Sequence, residues 1–169
     1  MTSADLLADA FGRIRDIVQE VLDGLDADDL SSRLEGETNS IVWLIWHLTR
    51  VQDDHVAEVA DTEQAWISAG FAAQFALALD LSDIGYGHDQ RQMAAVTARA
   101  EDLLAYHDAV YENTLEFLGQ LSNEDLDRVV DERWDPPVTL GVRLVSVIAD
   151  DLQHAGQAAY LRGILQRAR

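Results

Sequence analysis

Two side chains, Asp150 and His154, have types and a spacing that suggest metal chemistry. They stand four residues apart in a segment of helical periodicity, which at about 100° per residue places them on one face, one turn apart. A carboxylate and an imidazole in that arrangement can chelate one divalent ion, and a third ligand from another helix would leave open coordination positions. Solvated helix pairs have the same spacing, so a surface ion pair is an alternative interpretation.

The third ligand has to come from another part of the chain, and His47 is the strongest candidate. It follows Trp43 and Trp46 in a strongly apolar run, where a buried polar side chain needs a partner. The other histidines lie at the polar end of the same run, in an irregular segment and in another predicted helix: His55, His88 and His107. A buried histidine can also simply donate to a backbone carbonyl, and spacing alone leaves that alternative open.

Four long stretches carry apolar residues at three- and four-residue spacings, which predicts four helices. The predicted spans are about Ala4 to Asp23, a cap at Asn39 or Ser40 through to Asp61, Gln90 to Leu121, and Thr139 to Leu165. The segment between the second and third helices is irregular, with one or two short helical pieces. The pattern therefore predicts an all-α, up-down four-helix bundle with a long crossover between helices 2 and 3, forming a single domain over residues 1–169.

Acidic residues dominate the ionisable side chains. Thirty-one acidic residues face twelve basic ones, all of them Arg, for a formal net charge of -19. A field of this sign opposes binding to nucleic acids and to anionic lipid. The sequence also lacks a signal-peptide pattern and the roughly 18 uninterrupted apolar residues of a membrane span. We therefore expect a cytoplasmic protein with no nucleic-acid or membrane partner.

The chain contains no cysteine, which excludes disulfides, thiolate metal sites and a cysteine nucleophile. Any thiol chemistry would therefore need a thiol supplied by a small molecule. A homodimer is compatible with a bundle of this kind, and the apolar surface of the long crossover is where we expect such a contact.

The segments Asn39 to Leu48 and Asp150 to Gly163 resemble the DinB-like superfamily of four-helix bundles. The first contains W-L-I-W-H-L, and the second reads D-x-x-x-H-A-G-Q and then Y-L-R-G. Members of that superfamily bind a divalent metal, often zinc or nickel, through a histidine of the second helix and an H-x-x-x-H pair of the fourth. The resemblance implies that His47 and His154 are ligands. The sequence departs from the pattern at Asp150, where the mycothiol-dependent maleylpyruvate isomerase branch also has a carboxylate.

Resemblance to that branch implies a metal-dependent S-transferase that conjugates mycothiol to electrophilic small molecules, a detoxification reaction. The metal, Zn²⁺ or alternatively Ni²⁺, would activate the thiol of mycothiol, the cosubstrate. Two other functions are compatible with the same residues. One is a hydrolase or isomerase at the same ion, and the other is a non-catalytic, metal-binding stress-response bundle.

Three residues are candidates for substrate binding: Gln157, Trp43 and Trp134. The amide of Gln157 could orient a metal ligand or contact a substrate. Trp43 is interpreted mainly as a core residue, as is Tyr160. Trp66 and Trp134, which lie in predicted loops, could line the mouth of the site or pack onto the domain.

Overall fold

The computed structural model describes residues 1–167, and its regular secondary structure is helical apart from one short β-hairpin. Its helices are α1 (Ser3–Leu22), α2 (Ala27–Ser31), α3 (Ile41–Ala60), α4 (Ala65–Ser68), α5 (Phe71–Phe75), α6 (Gln90–Ala95), α7 (Ala100–Leu118) and α8 (Leu140–Arg167). The antiparallel strands are β1 (Val129–Asp131) and β2 (Val138–Thr139). Helices α1, α3, α7 and α8 pack against one another as a four-helix bundle, which confirms the predicted fold class. The hairpin was not predicted.

Side-chain pairs between the helices give their directions. Arg143 near the start of α8 contacts Glu58 near the end of α3, so these two helices are antiparallel. In contrast, Thr49 and Gln52 of α3 contact His107 and Thr114 of α7 in the same order, so α3 and α7 are parallel. The long crossover makes this possible, because it returns the chain to the end of the bundle from which α3 starts. Up-down alternation therefore holds on either side of the crossover but not across it.

Side-chain caps begin the first two bundle helices, and the second cap is one of the two residues predicted for it. The hydroxyl of Thr2 accepts from the backbone N–H of Asp5, whose carboxylate accepts from the backbone N–H of Thr2, forming a capping box. The hydroxyl of Ser40 likewise accepts from the backbone N–H of Trp43 at 3.3 Å, and α3 follows directly. These bonds satisfy N–H groups that have no partner within the helix.

The predicted third helix is wrong in one respect, since it is two helices. Between α6 and α7 the backbone of Val96 is extended (φ -76°, ψ 113°), and its side chain is buried. Met93, Val96 and Ala100 keep helical spacing across the break, so periodicity could not reveal it. The extended stretch brings Val96 into the core before α7 begins.

Two aromatic residues, Tyr160 and Trp66, can be compared with the expectations from the sequence. Tyr160 is 68% exposed, so the prediction that it belongs to the core is wrong. Trp66 lies on α4 and is buried beside Trp46, Phe75 and Tyr106, so it packs into the core instead of lining a mouth. Within residues 1–167, no helix combines the length and apolar character needed to cross a membrane.

His107 should make the stability of the fold depend on pH. Its ring is fully buried between α7 and α3, where Nδ1 lies 3.1 Å from Thr49 Oγ1, and Nε2 has no hydrogen-bond partner in the described part of the chain. Burial lowers the pKa of His107 to about 4, whereas an unfolded histidine titrates near 6.5. Between these pH values His107 therefore binds a proton in the unfolded chain but not in the native protein. The contribution of His107 to the free energy of unfolding is fully present above pH 6.5 and is lost as the pH falls toward 4.

We expect His107 to account for a loss of about 2 kcal/mol in the free energy of unfolding between pH 7 and pH 5. Urea unfolding of the wild type and of His107→Gln at both pH values measures it. Other titrating groups are common to both proteins, so the variant should lose less stability on acidification. An equal loss in the two proteins would contradict the assignment.

Candidate metal centre

Helices α3 and α8 bring His47, Asp150 and His154 together. One ligand atom from each residue can be chosen so that all three lie within 4.8 Å of one another. His154 Nε2 is 3.7 Å from Asp150 Oδ1, and the rings of His47 and His154 have centroids 4.8 Å apart at 73°. His47 is buried, whereas the side chains of Asp150 and His154 are partly exposed. The cluster therefore opens from the interior of the bundle toward solvent.

His47 is held in one orientation by its neighbours. Its Nδ1 hydrogen-bonds the carbonyl oxygen of Ile84, and the indole of Trp43 stacks on the imidazole with centroids 4.6 Å apart at 16°. The ring of Tyr86 meets it edge-on at 5.3 Å. Because Nδ1–H donates to a carbonyl, the lone pair of the neutral ring is on Nε2. Burial lowers the pKa of His47 and outweighs the opposing effect of the Ile84 carbonyl, so the neutral form that binds metals is favoured.

A chain of hydrogen bonds supports Trp43 in turn. Its indole N–H donates to His88 Nδ1 at 3.1 Å, and His88 Nε2 lies 2.9 and 3.0 Å from the two carboxylate oxygens of Asp83. The side chain of His88 is only 2% exposed. Residues 83–88, here called the strap, therefore hold His47 both directly and through Trp43. His88 received no role from the sequence, where the two glycines between Asp83 and His88 indicated only an irregular segment.

Gln157 orients the other histidine. Its amide oxygen is 3.3 Å from His154 Nδ1, so it accepts the Nδ1 proton and leaves Nε2 to face Asp150. This is one of the two roles predicted for Gln157. Trp43 also lies at the site, but its buried ring contacts His47, His88 and the edge of His154.

Asp150 offers a test of whether these residues suit a divalent ion. Its Oδ2 is buried and has no hydrogen-bond partner among residues 1–167, a costly arrangement for a carboxylate oxygen that a cation would relieve. Two imidazoles and one carboxylate form a donor set that zinc accepts, and imidazole also suits nickel. The residues therefore fit a divalent metal ion.

Asp151, the next residue of α8, is fully buried, and neither carboxylate oxygen has a hydrogen-bond partner in the described chain. Burial, with a smaller contribution from Asp150, raises its pKa well above the usual range. Burial therefore favours the protonated form of Asp151, whereas Asp150, the neighbouring carboxyl group, faces His154 at the cluster.

Two cavities flank the cluster. The hairpin pocket, about 410 Å³, is lined by Asp150, Tyr86, Arg143 and the hairpin residues Asp131, Arg133 and Trp134. Trp134 is 67% exposed and so lies at the mouth of this cavity, which is one of the two places predicted for it. The C-terminal pocket, about 400 Å³, is lined by Leu34, Glu37, Leu44, Gln157, Tyr160 and Leu161, among others.

The backbone of Gly85 lies so close to His47 that a side chain at position 85 would collide with the imidazole. Its φ is +97°, and a Cβ added to it would lie 2.6 Å from His47 Nδ1. We expect Gly85→Ala to displace the imidazole and weaken zinc binding at least about tenfold. Competition with a chromophoric chelator measures the affinity, and circular dichroism verifies the fold.

Gly87→Ala is the matched control for Gly85→Ala. Gly87 also has a positive φ of +73°, but a Cβ there meets no atom within 4 Å. Both variants therefore introduce backbone strain into the strap, and only Gly85→Ala adds contact with His47. Equal losses of affinity would attribute the effect to strain and contradict the role given to this contact.

Comparison with known proteins identifies the family of the chain. A family model described as mycothiol-S-transferase matches residues 6–167. The chain is also similar to a solved structure described as the conserved protein of locus from Enterococcus faecalis, with 31% identity, 96% of each chain covered and a TM-score of 0.89. A search of curated proteins gave no significant match. The family match extends over nearly the whole chain and confirms the resemblance seen in the sequence: the protein belongs to the mycothiol-S-transferase family.

Proposed function

We propose that this protein transfers mycothiol to electrophilic small molecules, using one divalent ion held by His47, Asp150 and His154. The observation that carries the proposal is the convergence of two imidazoles and one carboxylate, with ligand atoms within 4.8 Å. It occurs in a member of the mycothiol-S-transferase family. Zn²⁺ is the proposed ion and Ni²⁺ the alternative, because both accept imidazole ligands.

The ion would lower the pKa of a coordinated thiol and so supply thiolate near neutral pH. The chain has no cysteine, so the reacting sulfur belongs to the cosubstrate. In the transfer, the sulfur forms a bond to the electrophilic carbon, and a leaving group such as chloride departs with the electron pair of its broken bond. The thiol proton passes to solvent.

The contribution of the protein is to hold three ligands in the correct protonation states. The carbonyl of Ile84 and the amide of Gln157 each accept an Nδ1 proton, so His47 and His154 present Nε2. Asp150 would be the anionic ligand, and burial favours the protonated form of the neighbouring Asp151. Two neutral ligands and one anionic ligand leave a divalent ion with a net positive charge, which favours an anionic sulfur nearby.

Fluorescence from the bimane conjugate tests the activity directly. Purified protein loaded with zinc should accelerate the reaction of mycothiol with monochlorobimane, and a chelator should return the rate to the uncatalysed level. No metal-dependent consumption of thiol would refute the transferase proposal. Tight zinc binding with a large chelator-induced drop in melting temperature, but no turnover, would favour a non-catalytic metal-binding bundle. Turnover of an ester or isomerisable substrate without thiol would favour the hydrolase or isomerase.

Elemental analysis of ligand variants tests the metal site independently of activity. We expect near-stoichiometric metal in the wild type and loss of most of it in His47→Ala, His154→Ala and Asp150→Asn, because each change removes one of three ligands. His107→Gln is the matched control, since His107 is also buried but lies between α3 and α7, away from the cluster. Full metal content in the three ligand variants would contradict the ligand assignment.

A further inference from the structure

One face of α8 carries the metal cluster at its middle and a cavity on either side. Arg143, Val147 and Asp150 line the hairpin pocket, and Gln157 and Leu161 line the C-terminal pocket. These residues recur every three or four positions, so they share a helix face. His154 lies between the two groups. The cavities therefore meet the cluster from opposite directions along α8.

We propose that the two cavities are separate substrate sites: the hairpin pocket binds the hydroxyl-rich part of mycothiol, and the C-terminal pocket binds an apolar electrophile. This inference rests on the proposed transferase function and specifies its substrate class. Each cavity has a volume of about 400 Å³, which lies within the usual range for small-molecule sites. Each also reaches the cluster, through Asp150 on one side and through Gln157, the partner of His154, on the other.

The hairpin pocket has the chemistry of a site for polar groups. The guanidinium of Arg143 is held by Glu58 at 2.6 Å and by Asp131 at 3.3 Å, while Arg133 binds Asp131 at 2.8 and 2.9 Å. These pairs fix donors and acceptors at the cavity wall, where hydroxyl groups of a sugar can bond to them. The exposed indole of Trp134 adds a flat face on which the apolar side of a sugar ring can pack.

The C-terminal pocket differs from the hairpin pocket in the number of acidic and basic residues that line it. Within residues 1–167, Glu37 is the one acidic or basic residue that lines it, whereas five line the hairpin pocket: His55, Asp131, Arg133, Arg143 and Asp150. Leu34, Leu44 and Leu161 contribute apolar wall, with the ring of Tyr160 at the opening, and Thr38, Asn39 and Gln157 add uncharged polar groups. An apolar molecule gains free energy from leaving water against such a wall, and the cavity offers hydroxyl groups fewer acidic and basic partners than the hairpin pocket does.

Separate pockets determine how the two reactants meet. The sulfur of mycothiol reaches the cluster from the Asp150 side, and the electrophilic carbon approaches from the Gln157 side. With monochlorobimane as the electrophile, the carbon–sulfur bond forms as the carbon–chlorine bond breaks, chloride leaves with the electron pair, and the thiol proton goes to solvent. Because both molecules are bound before the bond forms, initial-rate kinetics should show a ternary complex and not a ping-pong pattern.

Trp134 and Tyr160 provide a matched pair of test positions. Their side chains are 67% and 68% exposed, so Trp134→Ala and Tyr160→Ala should leave the fold unchanged. We expect Trp134→Ala to raise KM for mycothiol at least about fivefold without changing KM for monochlorobimane, and Tyr160→Ala to do the reverse. Equal effects of each variant on both KM values, or the opposite pattern, would overturn the assignment.

Calorimetric titration separates failure of this inference from failure of the transferase proposal. Mycothiol titrated into zinc-loaded protein should bind to the wild type and to Tyr160→Ala with the same affinity, and at least about fivefold more weakly to Trp134→Ala. This pattern without turnover would refute the catalytic function but retain the pocket assignment. Turnover by the wild type with mycothiol binding undisturbed in Trp134→Ala would retain the function and overturn the assignment.

Discussion

The burial of one imidazole organises this molecule. His47 lies on α3, the helix with the most extensively buried surface in the bundle, and its side chain is almost fully removed from water. A polar ring in that position is costly unless its nitrogens have partners. The Ile84 carbonyl satisfies Nδ1, which leaves Nε2 free of that bond, and Asp150 and His154 of α8 lie beside the ring. The close packing of α3 with α8 therefore produces a polar cluster within the bundle.

The crossover has a structural reason to be long. Because α3 and α7 are parallel, the chain must return along the bundle between them, and the strap lies on this return path. On this path, residues 83–88 pack against the side of α3 that bears His47 and Trp43. A short turn between antiparallel helices could not supply a backbone carbonyl at that point. The connection that sets the direction of α7 thus also sets the orientation of the His47 imidazole.

Much of the fold, the burial of His47 and the pairing of Asp150 with His154 could be predicted from the sequence, because those features depend on helix geometry. A separation of four residues places Asp150 beside His154 whatever else the chain does, and the apolar run around His47 implied burial. The strap could not be predicted in the same way. The roles of Ile84, Gly85 and His88 depend on where a segment without periodicity meets another helix. The break at Val96 was hidden for a related reason, since its spacing is helical even though its backbone is not.

The charge of the cluster follows from two neighbouring carboxyl groups with different surroundings. Asp151 is fully buried, neither of its carboxylate oxygens has a hydrogen-bond partner within residues 1–167, and burial raises its pKa. Asp150 is partly exposed and faces His154. If both were ionised, their repulsion would add to the cost of burial. Burial of one carboxyl group would thus leave a single anionic ligand, so under the proposed function a divalent ion held by these residues would keep a net positive charge. On a protein with a formal net charge of -19, such a localised positive centre would be the point to which an anionic sulfur attaches.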